Sequence, residues 1–145
     1  FSWPGQFEQG RTSDGLVELL DMTATLMELC GLPIPDYMQG TSLLPILRGQ
    51  ADPAAHREFV RSEYFDALDP HFTGGSGTLG TMYRTRTHKL CMYHDKHLGE
   101  LYDLENDLGE RTNLASKHPE KVAELKELML AVEQSDRLRP EDSKR

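Results

Sequence analysis

The chain has 145 residues, with 24 acidic side chains against 16 Lys and Arg, and a formal net charge of −8 with His neutral. That length suits a core of ordinary size. The acidic balance argues against a nucleic-acid binder, which needs a basic face to replace phosphate counterions, and against docking on anionic lipid. No apolar run approaches the ~20 residues of a bilayer span, because the longest, residues 43–47, is broken by Pro45. Cys30 and Cys91 are too few for a disulfide-rich scaffold and fit either one bridge or two free thiols.

The chain opens at Phe1 on Phe-Ser-Trp-Pro-Gly, an aromatic stretch ending in a turn, without Met or a signal region. This reads as the end of a strand and predicts an excerpt of a longer protein. Residues 6–13 are polar and predict a loop or short hairpin. Leu16, Val17, Leu19 and Leu20 around Glu18 fit a short strand or a helical turn. Asp21 fits the N-cap of a first helix, because its carboxylate can accept free amide hydrogens of the first turn. Met22, Leu26 and Leu29 then fall at helical spacing, and Gly31 fits the left-handed position after the helix. A second short capped helix comes after Gly40-Thr41-Ser42, with Pro45 allowed in its first turn.

Residues 50–57 read as a polar connector, and residues 59–65 as an aromatic and β-branched strand. Residues 66–81, with glycines at 74, 75, 77 and 80, predict a long loop. Residues 82–85 and 88–93 predict a hairpin about Arg86-Thr87, residues 94–99 a turn, and residues 100–103 a third short strand. Residues 110–115 suggest one helical turn. Pro119 opens a last helix to about Asp136, striped by Val122, Leu125, Leu128, Met129 and Val132. Short turns between strands require antiparallel pairing, and one helix can cover one sheet face.

The chemistry-bearing residues give little by themselves. His88, Cys91, His94 and His97 are zinc-ligand types, but on a strand His88 and His94 share one face and Cys91 takes the other, so no zinc site is expected. Counting a calcium loop from Asp103 puts Leu108 and Leu114 where Gly and a bidentate acid are needed. An acidic turn is expected instead, with Asp107 capping the helical turn at 110–115. Gly74-Gly-Ser-Gly77 lacks a helix after it and reads as a flexible lid rather than a phosphate cradle. No nucleophile elbow and no spaced pair of carboxylates is present.

Several segments in order resemble the type I sulfatase family of the alkaline-phosphatase-like superfamily, over about residues 1–132. They are Trp3-Pro4-Gly5, Leu20-Asp21-Met-Thr-Ala-Thr-Leu26, Leu29-Cys-Gly31, Gly40-Thr-Ser-Leu-Leu-Pro-Ile-Leu47 and Tyr83-Arg-Thr-Arg-Thr-His-Lys89-Leu90. The most specific is Gly99-Glu-Leu-Tyr-Asp-Leu-Glu-Asn-Asp107-Leu-Gly-Glu-Arg-Thr-Asn-Leu114. Ala24 and Leu108 stand where the family usually has Pro.

The resemblance implies the C-terminal portion of a sulfuric-ester hydrolase. In such enzymes a Cys or Ser of Cys/Ser-x-Pro-Ser/Thr-Arg becomes formylglycine, whose hydrate attacks sulfur while a calcium ion polarises the sulfate oxygens. Cys30 precedes Gly-Leu-Pro-Ile and Cys91 precedes Met-Tyr-His-Asp, so neither matches; Ser2-Trp-Pro4-Gly-Gln6 lacks the last two positions. Neither a catalytic residue nor a metal ligand is therefore expected here, and formylglycine and calcium are implied only for the full-length enzyme. This chain alone is expected to be inactive. The implied fold is α+β: residues 1–50 as the tail of the large α/β domain, with helices, and residues 51–136 as a subdomain. That subdomain is a small antiparallel sheet of about four strands covered by a long C-terminal helix; residues 137–145 are a mixed-charge tail.

Two other readings are a phosphoric or phosphonic monoester hydrolase of the same superfamily and a non-catalytic interaction module. The implied partners are the N-terminal catalytic region and a small sulfated substrate. Met22, Leu26 and Leu29 would pack on a sheet of the large domain, so self-association of the fragment is a further expectation. His71 and Phe72 on the long loop, and His94 on the neighbouring hairpin, are the candidates for a substrate-contacting rim.

Overall fold

The structure is a computed structural model, and it describes residues 1–65, 78–94, 96 and 98–137. Two units divide it, the first built on Phe1–Glu58 and the second on Phe59–Val132.

The first unit contains α1 (Leu19–Leu29) and α2 (Leu44–Leu47). Helix α1 begins earlier than Asp21. Glu18 is extended, at φ −106° and ψ 155°, and is the N-cap. Its backbone N–H donates to Asp21 Oδ2 at 2.9 Å, the reciprocal half of a capping box. Asp21 therefore lies one turn into the helix, and Leu19 and Leu20 are its first residues rather than a separate element. At the other end Gly31 takes φ +69°, as its position after the helix predicts. Helix α2 starts where Ser42 Oγ accepts the Leu44 N–H at 3.1 Å, and Pro45 sits within its first turn. The segment leading into α2 runs against α1 at Gly40, where any Cβ would collide with the Leu20 carbonyl oxygen.

Burial in α1 is the reverse of its apolar pattern. Asp21, Ala24 and Thr25 are the buried residues, whereas Met22 and Leu26 are 44% and 52% exposed.

The second unit is a meander of β1 (Phe59–Phe65), β2 (Leu79–Thr85), β3 (His88–Tyr93) and β4 (Leu98–Asp103), followed by α3 (Pro119–Arg137). The sheet order is β1-β2-β3-β4 and every pairing is antiparallel. Tyr83, Leu90 and Leu101 lie opposite one another on the three last strands. Partners in register share a face, and these three form the core with Leu125 and Met129 of α3. Phe59 stacks on Tyr83 with ring centroids 5.0 Å apart.

Strands β1 and β3 keep their predicted bounds. Strand β2 starts three residues early, because Leu79, Gly80 and Thr81 continue the ladder opposite Phe65, Tyr64 and Glu63. Strand β4 likewise takes Leu98 and Gly99, which pair with Tyr93 and Met92. The helical turn predicted at 110–115 is absent. Asp107 Oδ2 instead accepts the amides of Arg111 and Thr112 at 2.7 and 2.8 Å. The chain then runs along the open edge of β4: Asn113 Oδ1 accepts from the Leu101 N–H at 3.1 Å, and the Leu114 N–H donates to the Leu101 carbonyl at 2.8 Å. Backbone groups spent on that edge are unavailable to a helix, and the edge is covered.

Helix α3 buries Leu125 and Met129, with Val122 and Val132 packed beside them, while Leu128 is 46% exposed on its flank. Among the described residues no helix is long and apolar enough to cross a membrane.

Replacing Leu90, which has no exposed surface, by Ala should lower stability by about 2–5 kcal/mol. Leu128→Ala, on the exposed flank, should change it by less than about 1 kcal/mol. Urea unfolding of both variants followed by circular dichroism measures the contrast.

Candidate functional site

The densest polar cluster of the first unit gathers around Asp21, whose side chain has no exposed surface. It is reached from three segments. From its own helix start comes the Glu18 N–H at 2.9 Å. From the segment before α2 comes the Thr41 N–H, 2.7 Å from Oδ1. From the connector before β1 come His56, with Nε2 3.2 Å from Oδ2, and Arg57. Arg57 grips the carboxylate with two nitrogens, Nε at 2.9 Å from Oδ2 and Nη2 on Oδ1. Arg57 also donates to the Gln39 carbonyl at 3.0 Å and lies 3.6 Å from a Glu18 carboxylate oxygen. Next to this cluster Thr25 Oγ1 donates to the Asp21 carbonyl and accepts the Leu43 N–H at 2.9 Å.

Burial pushes the Asp21 carboxyl upward in pKa, but the Arg57 hydrogen bonds, the Glu18 and Thr41 amides and the Arg57 charge outweigh it and bring the value from 3.8 to about 2. The carboxylate is thus held ionised with its lone pairs taken. It is arranged as a clamp and has no oxygen left for a metal or a reacting proton. His56 and Arg57 belong to a stretch that reads as a mere polar connector in the sequence. Nothing in their local pattern pointed to them.

The first unit also has a cleft of about 290 Å³, lined by Phe1, Glu8, Arg11, Ser13, Leu47 and Pro53 among others. Its charges are one exposed ion pair, Arg11 to Glu8 at 3.1 Å.

In the second unit His94 is exposed, and its Nε2 lies 2.8 Å from the Oγ1 of buried Thr81. His71 and Phe72 lie outside the described residues, as does His97. His88 turns Nδ1 to Thr87 Oγ1 at 2.8 Å. Among the described residues no three His, Cys, Asp or Glu side chains converge as metal ligands. Asp103 is engaged with Asn106 and the amide of Glu105, and the Asn106 side chain is the main cause that lowers its pKa. Cys30 and Cys91 are both free thiols. Burial raises the Cys91 pKa, which makes it a poor nucleophile.

The N-sulphoglucosamine sulphohydrolase C-terminal family matches residues 1–135. The chain belongs to that family. It is a C-terminal portion of the type I sulfatases. The Delta 4,5-hexuronate-2-O-sulfatase of Bacteroides thetaiotaomicron is 35% identical to this sulfatase segment over 133 residues, which are 89% of the segment and 26% of the relative. A solved 2-O GAG sulfatase superposes with a TM-score of 0.66 at 30% identity, covering 81% of the segment and 25% of that chain. The phosphonate monoester hydrolase of Silicibacter pomeroyi superposes with a TM-score of 0.75 at 26% identity, covering 92% and 28%. The sulfatase segment thus spans about a quarter of the length of the relatives it matches.

Among the described residues of the sulfatase segment, none fits the groups that the family implies. Its two free cysteines lack the sequence context for conversion to formylglycine. Its buried carboxylate, Asp21, is committed to Arg57 and His56 rather than open to a calcium ion.

Because the Asp21 pKa is lower folded than unfolded, its contribution is present above about pH 4 and fades as pH falls toward 2. Asp21→Asn should remove that acid-side slope. It should also destabilise the first unit by about 3 kcal/mol, since Arg57 loses the carboxylate it grips with two nitrogens and keeps only Glu18, at 3.6 Å. Urea midpoints of both proteins between pH 2 and 7 give the comparison.

Proposed function

We propose that this chain is the C-terminal part of an enzyme that hydrolyses sulfate esters on sugars. The observation that carries this reading is the sulfatase family match across nearly the whole chain. The names of its relatives, a hexuronate-2-O-sulfatase and a 2-O GAG sulfatase, support a sulfated sugar as the substrate class. The nucleophile and the metal are assigned to polypeptide beyond this segment, where a Cys/Ser-x-Pro-Ser/Thr-Arg stretch is expected. The segment then acts as a scaffold that packs beside the catalytic domain.

A second reading, phosphoric or phosphonic monoester hydrolysis, is favoured by one observation, the superposition on a phosphonate monoester hydrolase. Assays of the full polypeptide on an aryl sulfate, a 2-O-sulfated hexuronate and a phosphonate monoester separate the two. Sulfate release well above phosphonate hydrolysis is expected, and the reverse order overturns the first reading. The isolated 145-residue chain should turn over none of them above a heat-killed control.

The rim role belongs to the same reading. His71 and Phe72, which lie outside the described residues, are assigned with His94 to the edge of the substrate cleft. His94 is exposed and held by Thr81, which leaves its ring positioned for a hydroxyl or sulfate group. Replacing His71 and Phe72 together, or His94 alone, by Ala should raise KM for a sulfated sugar several-fold. The effect on kcat/KM for a small aryl sulfate should be smaller. Unchanged kinetics on every accepted substrate would remove these residues from the rim.

A further inference from the structure

The sheet of the second unit has two faces, and its core occupies one of them. Tyr83, Leu90 and Leu101 meet α3, so the residues beside them in sequence point the other way. On that second face Tyr64, Gly80 and Tyr93 lie opposite one another on three adjacent strands, and Ser62, Met82 and Cys91 form the next row. These six residues are among those that line a slot of about 150 Å³. Gly80 opens it. Its backbone is not in the left-handed region, and a Cβ there would meet nothing closer than the Met92 carbonyl oxygen and Tyr93 Cδ1, both at 3.6 Å. Neither conformation nor crowding therefore requires glycine at this position. A glycine inside a strand weakens it, and one kept without a backbone reason marks a place where something approaches closely.

We propose that this slot binds the ring of an uncharged sugar residue, seated over Gly80 between Tyr64 and Tyr93. The size is that of a single ring, since a cavity of about 150 Å³ holds one benzene. No charged side chain lines the slot. The Glu100 carboxylate is the main cause that holds the Tyr93 phenol above its ordinary pKa, so the charge felt most strongly at Tyr93 is negative. A sulfated or carboxylated ring would meet that acid and find no lining cation. Two phenol rings offer faces of negative quadrupole, and their hydroxyls and that of Ser62 can donate and accept. A pyranose has the matching pattern, C–H faces within a rim of hydroxyls. Tyr64 is 60% exposed, which leaves this wall of the slot within reach of a ligand. The choice of a sugar among neutral rings rests on the sulfated-sugar reading of the enzyme. The ring belongs either to an unsulfated residue of the substrate chain or to a separate glycan, and the recognition chemistry is the same for both.

The test uses the full sulfatase polypeptide and two neutral probes, cellobiose and phenol, with binding read by saturation-transfer NMR. Cellobiose should bind. Gly80→Leu, which fills the slot, should weaken it by about tenfold or more, and Tyr64→Ala, which removes one wall, should weaken it several-fold. Should Gly80→Leu fail to fold, Gly80→Ala adds only a methyl in ordinary contact and should weaken cellobiose by a smaller factor. Absence of cellobiose binding to the parent protein overturns the proposal. So does binding of phenol without cellobiose, or an affinity for cellobiose that none of these variants changes. Kinetics then separate the two sources of the ring. A several-fold rise in KM of Gly80→Leu for a 2-O-sulfated disaccharide, with KM for the matching sulfated monosaccharide unchanged, assigns the ring to the substrate chain. Unchanged KM for both, with cellobiose binding lost, assigns it to a separate glycan. Cellobiose binding requires no sulfate release, so failure of the slot and failure of the sulfatase reading are distinct results.

Discussion

A single carboxylate with no exposed surface ties together the first 58 residues. Burying an ion is expensive unless it is paired and its lone pairs are occupied. Asp21 meets both conditions, with a two-nitrogen grip from Arg57, contact from His56 and amides from Glu18 and Thr41. Those donors come from three separate stretches of chain. Forming the cluster therefore fixes the start of α1, the approach to α2 and the connector at His56 and Arg57 in one step. Little else in this unit could do so: among the described residues its buried apolar side chains are Ala24 and Leu44. With so small an apolar core, directional bonds take over the task of specifying one arrangement.

The second unit is organised in the opposite way. Tyr83, Leu90 and Leu101 form an apolar row across three strands, and α3 lowers Leu125 and Met129 onto it. Its polar contacts hold the periphery. Lys89 bonds Glu110 and lies 5.8 Å from the Tyr102 ring centre, and Asn113 and Leu114 strap the edge of β4. A sheet of four strands with one face covered is near the minimum that holds itself together. The contrast suits a segment whose second unit carries its own core and whose first unit keeps an apolar helix face open. The sulfatase family motifs are divided between the two. The Asp21 region and the Gly40 approach build the clamp, and the stretch from Tyr83 to Leu114 builds the sheet and its strap.

Much of this is legible in the residues. Alternation and turn chemistry place β1 and β3, and Gly31 and Pro119 mark helix boundaries correctly. The starts of β2 and β4 escape a sequence reading because Gly80 and Gly99 look like loop, whereas their neighbours in the ladder hold them extended. The strap at 110–115 escapes it because its local pattern is helical, and a nearby strand edge competes for the same backbone groups. His56 and Arg57 give no signal of their role, since a polar connector looks the same whether its side chains face solvent or a buried acid.

The sequence by itself determined the family, the antiparallel meander with its covering helix and the lack of a formylglycine motif. Each of these depends on residue order and local periodicity, and none needs distant partners to be visible. Only the tertiary structure decided that Asp21 sits inside α1 and anchors Arg57, which stands thirty-six residues away. It alone decided that the Met22 and Leu26 side of α1 faces outward. Periodicity shows that a helix has two unlike faces, but which face is buried depends on what the rest of the chain brings to it. Here it brought a guanidinium, and the polar face went inside.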